Sequence, residues 1–207
     1  LDAIAILAQI SLQKGMAMPQ LPSLPDPAHL SDVLTRYPDH VPHLMALTNQ
    51  IMRDDGVLSR AERELIAAYV SGLNSCQFCL GSHQLYAQVF GIDGSVIDAL
   101  LDDPASAPID EKLRPLLAYA AKLTDLPSRL TPNDARAVLD AGWPEAALYA
   151  CIEVTALFSF YNRLVEGAGV NFTYDGADGH AAFAPGADLD RSYLGFADRL
   201  LANRDST

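Results

Sequence analysis

Ser59 to Gly91 spells out two helices back to back with a break of only a few residues between them, and this pair constrains the fold more than any other stretch. Ser59-Arg60-Ala61-Glu62 has the form of a capping box, in which hydroxyl and carboxylate satisfy backbone amides left open at a helix start. Leu65, Ile66, Tyr69, Val70 and Leu73 then recur at helical spacing. This first helix should stop near Gly72 to Asn74. Ser75 is placed to cap a second helix running through Cys76 to Phe90, with Gly91 as its terminator.

The rest of the chain reads the same way. Met18 to Pro27 is proline-rich and should run extended, after which Asp26-Pro27 looks like an N-cap followed by proline at the first helical position. Further helices fit about 27 to 36, 39 to 53, 94 to 101, 110 to 125, 132 to 140, 144 to 167 and 188 to 203. Strand signals are weak, and the Gly-rich Asn171 to Gly186 stretch reads as a long loop. The expected class is all-α. With 207 residues and 50% apolar content the chain can bury a real core as one domain, or as two closely packed ones. Leu130-Thr131-Pro132 opens a second helix pair that echoes Leu58-Ser59 in architecture alone.

Charge and hydropathy narrow the partners. A net charge of -12 disfavours nucleic acid and anionic membrane surfaces, both of which are bound through Lys and Arg. No stretch approaches the roughly 20 apolar residues of a membrane span. The apolar start, Leu1 to Ile10, carries Asp2 and lacks both a basic flank and a convincing cleavage site, so a cytoplasmic location is expected.

The chemistry concentrates in Asn74-Ser75-Cys76-Gln77-Phe78-Cys79-Leu80-Gly81-Ser82-His83, which holds two of the three cysteines and one of the five histidines. Thiols at this spacing can close a disulfide within one helical turn, so the pair points to catalysis or a metal rather than to a disulfide scaffold. Cys151 lies far off in an apolar run and reads as core packing. On a helix advancing about 100° per residue, Cys76, Cys79 and His83 share a sector of about 60°. At about 1.5 Å per residue, Glu64 on the first helix and His83 on the second both stand about 12 to 14 Å from the turn. Antiparallel packing therefore makes them level. A carboxylate beside an imidazole beside a thiol can hold a proton and move it, as a thiol nucleophile requires. The helix dipole alone supplies about 0.3 to 1 kcal/mol, too little to activate a thiol that starts near about pKa 8.5, and Glu64 with His83 is the nearby pair that can add to it. Taken alone, the residues leave other readings open. Cys76, Cys79, His83 and Glu64 could ligate zinc, although three ligands from one helix is an unusual geometry. The cysteines could be an inert buried pair, His83 a core histidine satisfied by Glu64, and Glu64 a solvated member of the charged stretch Arg60 to Glu64.

The pattern Glu64, eleven residues, Cys76-x-x-Cys79, three residues, His83 resembles the active-site signature of the alkyl hydroperoxidase D (AhpD) family. More broadly the chain is similar to the carboxymuconolactone decarboxylase-like superfamily, above all its peroxidase-related branch. Its run Ala156-Leu157-Phe158-Ser159-Phe160-Tyr161-Asn162-Arg163-Leu164 resembles a helix near the end of those proteins. The resemblance implies an AhpD-like helical bundle over 27 to 207, preceded by an N-terminal extension over 1 to 26, and built around an antiparallel hairpin that carries the CxxC motif. It further implies a homo-oligomeric oxidoreductase that acts on peroxide as acceptor, with a hydroperoxide as substrate, a thiol or redox protein as reductant, and neither cofactor nor metal. By the same resemblance Cys79 attacks the peroxide through a sulfenic acid, Cys76 donates a proton and resolves, and Glu64 and His83 relay the proton. Phe78 departs from the family pattern, since well-characterised members carry a second histidine immediately before the later cysteine.

Two other functions compete. One is a lactone decarboxylase of the wider superfamily, which would not use a cysteine pair. The other is a non-enzymatic helical oligomer whose disulfide state switches a partner interaction. Outside the hairpin, His29, His40 and His43 are expected in surface or capping roles, His180 in the solvated loop, and Trp143 as a staple at a helix start. Asn162-Arg163 is expected at an oligomer interface.

Overall fold

The computed structural model describes residues 18–174 and 192–204, and within them the chain is all-helical. The helices are α1 (Leu30–Arg36), α2 (Val41–Arg53), α3 (Arg60–Leu73), α4 (Gln77–Val89), α5 (Gly94–Asp102), α6 (Leu113–Asp125), α7 (Pro132–Asp140), α8 (Glu145–Ala168) and α9 (Tyr193–Arg204), with a short 3-10 turn at Pro127–Arg129. The bounds fall close to those expected from periodicity. α1 is the exception: it starts at Leu30 with His29 as its N-cap, because the His29 ring accepts the Ser31 amide while Asp32 accepts the His29 amide. The Asp26-Pro27 start is thereby corrected. Positions 188 to 191, most of the Asn171 to Gly186 loop, and His180 lie outside the described residues.

α3 is the central helix. Every residue from Arg63 to Gly72 is buried, which only a helix packed on all sides can achieve. It lies against α4, α8, α6 and α5, while α9 packs across α2. Leu65 and Ile66 are 1% and 0% exposed, and burial of such side chains contributes about 1.5 to 3 kcal/mol each. The capping box at Ser59 forms as expected: Glu62 accepts from the Ser59 amide at 2.6 Å and the Glu62 amide donates back to the Ser59 hydroxyl. Thr131 and Asp134 repeat the device at α7.

The connection that carries the cysteines differs from the expectation. Ser75 does not cap α4. It adopts the left-handed conformation, φ 56°, that closes α3, its amide donating to the Gly72 carbonyl while the Cys76 amide donates to Ser71. Cys76 is then the N-cap of α4, its carbonyl accepting from Leu80. With so few linking residues, one residue must end the first helix and begin the next. α4 ends as expected, with Gly91 left-handed at φ 96°. Trp143 packs half under Lys112, its indole donating to the Lys112 carbonyl at 2.7 Å and its ring lying 4.1 Å from the ammonium, immediately before α8.

Candidate functional site

The antiparallel pair α3 and α4 brings Glu64 and His83 level. His83 Nδ1 meets Glu64 Oε2 at 2.5 Å, with Glu64 wholly buried and His83 7% exposed. Glu64 is therefore no solvated residue. Its other oxygen, Oε1, accepts from an Arg53 guanidinium nitrogen at 2.5 Å. Burial pushes the Glu64 carboxyl up, but His83 and Arg53 together outweigh it and hold the group below the ordinary carboxylate range. Because Nδ1 is engaged, the far nitrogen of His83 is left for other chemistry. The ring is fixed edge-on against Phe158 at 4.3 Å.

Cys79 lies on α4 four residues before His83, a spacing that makes two side chains neighbours on a helix surface. Cys79 is 3% exposed and Cys76 0%, and both are thiols. They touch: the Cys76 thiol is pushed far above its usual range by its hydrogen bond with Cys79 and by burial. Cys76 is the N-cap of α4 and Cys79 stands in its first turn, so both lie where the helix dipole favours an anion. Cys151, 0% exposed and remote, contacts the Leu116 carbonyl in the core, with its thiol pushed up to about 12 by burial.

Several features escaped the sequence reading. Arg53 stands in the last turn of α2 before Asp54-Asp55, where a basic residue looks like ordinary helix termination, yet it is 5% exposed and ion-paired to Glu64. Asn162 is not at the surface: it is 2% exposed, accepts from Asn74 at 2.9 Å and donates to Ser71 at 3.1 Å, so α8 clamps the turn that carries Cys76. Arg163 is exposed and bonds the Ser159 carbonyl. Phe78 sits in an aromatic cluster, 4.8 Å from the His29 ring and 5.3 Å from Tyr174. His29 thus does more than cap α1, its Nε2 lying 3.1 Å from the Tyr174 hydroxyl. Gly81 admits this cover, since a Cβ there would stand 3.2 Å from that of Tyr174. His40 and His43 are exposed. Among the described residues, no group of three or more His, Cys, Asp or Glu is arranged to hold a metal ion.

Residues 38–122 match the carboxymuconolactone decarboxylase family. Two solved structures are similar over most of their length. An uncharacterized peroxidase-related protein from Silicibacter sp. TM1040 is 24% identical with a TM-score of 0.65, covering 89% of this chain and 90% of its own. A structure described as alkylhydroperoxidase AhpD core, an uncharacterized peroxidase-related protein from Ralstonia eutropha JMP134, is 22% identical with a TM-score of 0.64, covering 82% and 84%. No curated protein matches the chain.

Proposed function

We propose, for a chain that belongs to the AhpD-like and carboxymuconolactone decarboxylase-like superfamily, that it is a thiol-dependent peroxidase working through Cys76 and Cys79. The observation that carries the reading is the buried line of Glu64 and His83 on the same helical hairpin as two thiols in mutual contact. His83 takes the Cys79 proton, and the thiolate attacks the terminal, hydroxyl oxygen of a hydroperoxide ROOH. The O–O bond breaks, sulfur loses two electrons to become Cys79–SOH, and the departing alkoxide takes a proton from His83 and leaves as ROH. Cys76 then attacks Cys79–SOH, forming the disulfide and releasing water. A dithiol reductant returns both thiols by exchange, itself becoming a disulfide. The Cys76 proton leaves with the sulfenic hydroxyl as that water, so the step balances without a further acid. No cofactor enters this scheme.

The reduced protein mixed with cumene hydroperoxide in stopped flow tests it. The expected outcome is loss of two thiols per peroxide consumed, with peptide mapping finding a Cys76–Cys79 disulfide and an unmodified Cys151. Peroxide left unconsumed, or a crosslink to Cys151, sinks the reading. The lactone decarboxylase alternative takes its support from the family match over 38–122 alone.

A further inference from the structure

A buried guanidinium at the end of a helix is an expensive choice. A basic side chain in the last turn ordinarily reaches into solvent or toward its own carbonyls, and removing a cation from water costs several kcal/mol unless a partner offsets it. Arg53 is 5% exposed, donates to Glu64 Oε1 and to the Met52 carbonyl, and is enclosed by the rings of Tyr193, Tyr86 and Phe90 at 4.9, 5.1 and 5.4 Å. Its own backbone carbonyl accepts from Arg60. α2, α3, α4 and α9 all contribute to this enclosure.

We infer that Arg53 is a positioning residue whose fixed charge lets the buried site hold an ionised Cys79 opposite a protonated His83. The inference rests on the thiol chemistry proposed above and follows from a charge count. With Arg53 and His83 positive and Glu64 and Cys79 negative, the reacting site sums to zero. Without Arg53 the same state carries one net negative charge in a place nearly closed to water, where it is strongly disfavoured. The other titratable groups facing the site do not supply the missing charge. Tyr193 and Tyr161 are phenols pushed above their ordinary range by burial, Tyr86 is a phenol on α4, and Glu166 faces Cys76 with the wrong sign.

The test is the pH profile of Cys79 alkylation by iodoacetamide, read by mass spectrometry in the full chain for the parent, Arg53→Lys, Arg53→Met and Arg53→Gln. Arg53→Met should move the profile about one pH unit upward, slowing alkylation at pH 7 about tenfold. Arg53→Lys keeps the charge and should stay within about threefold of the parent. Arg53→Gln removes the charge but keeps polar atoms facing Glu64 and should move with Arg53→Met, so that the profile follows charge and not hydrogen bonding, an outcome that a purely structural role for Arg53 does not produce. An Arg53→Met profile that superimposes on the parent, or an Arg53→Lys profile displaced as far as that of Arg53→Met, overturns the inference. If Arg53→Met does not fold, Arg53→Gln decides in its place: an upward move of about one unit supports the inference, and a profile that superimposes on the parent overturns it. A parent whose Cys79 alkylates no faster than a free thiol would bring down the thiol reading and this inference together, whereas a reactive parent with an unresponsive Arg53→Met would bring down this inference alone.

Discussion

Glu64 divides its two oxygens between a histidine and an arginine, and both bonds are buried. Its value to stability depends on its charge. The folded protein holds the carboxyl below the ordinary range, so its contribution is complete above the unfolded value of about 4.3 and is lost as pH falls through the lower folded value. Glu64→Gln should therefore cost about 3 to 5 kcal/mol at neutral pH, where it strands Arg53, and the gap from the parent should narrow below about pH 4. Urea midpoints from pH 7 to pH 3 measure this, and a constant gap would contradict it. His83→Ala removes the group proposed to accept the Cys79 proton. Its alkylation rate at pH 7 should fall about tenfold or more, consistent with the usual contribution of a positioned base, while its urea midpoint moves less than that of Glu64→Gln. An unchanged iodoacetamide rate would mean that the helix terminus alone activates the thiol.

Four helices among the described residues end on a left-handed residue: Gly91 after α4, Gly142 after α7 and Ser75 after α3 lie just past the cap, and Gly169 is itself the cap of α8. Only the joint before the cysteines uses a residue with a side chain. Ser75→Val puts a β-branched residue into that conformation and should cost about 1 to 2 kcal/mol in a denaturant titration, while Ser75→Gly should be close to neutral; equal stability of the Val and Gly variants would refute the assignment. How legible each element was follows from the range of its determinants. Helix spans, the capping box at Ser59 and the Glu64–His83 level were readable because they follow from local periodicity and a fixed rise per residue. The role of Ser75 was misread because a serine before a helix also suits an N-cap, and only the brevity of the joint decides between the two. Arg53, Asn162 and His29 were missed for another reason. Asn162 and His29 reach the hairpin from elements distant in sequence, and Arg53 turns back to it across the joint between α2 and α3, and no helical spacing encodes such contacts.

At the scale of the whole molecule, α8 shows what the fold leaves uncovered. Its inner face fills the core with Val154, Phe158 and Val165, while Tyr149 at 60% and Phe160 at 50% exposure lie along an outer stripe with Ala156, Arg163 and Gly167. Phe160 and Arg163 also border an apolar groove of about 410 Å³ that includes Tyr37, Leu44 and Leu164. Such a stripe on a long helix suits a second copy of the chain, in keeping with the homo-oligomer proposed from the family resemblance. Sedimentation at micromolar concentration should give a species larger than 22.3 kDa, and Phe160→Asp should shift it toward that mass; a monomeric parent would end this expectation. No helix among the described residues is long and apolar enough to cross a membrane. One consequence of the shared residue at the joint reaches beyond the subunit's shape. Since the Cys76 amide is the last bond of α3 and its carbonyl the first of α4, neither helix end can fray there without breaking the other, and α8 bolts the same turn through Asn162. Amide hydrogens of Ser75 and Cys76 should then exchange with solvent only when the whole bundle opens, so that the segment proposed to change redox state exchanges as slowly as the core itself.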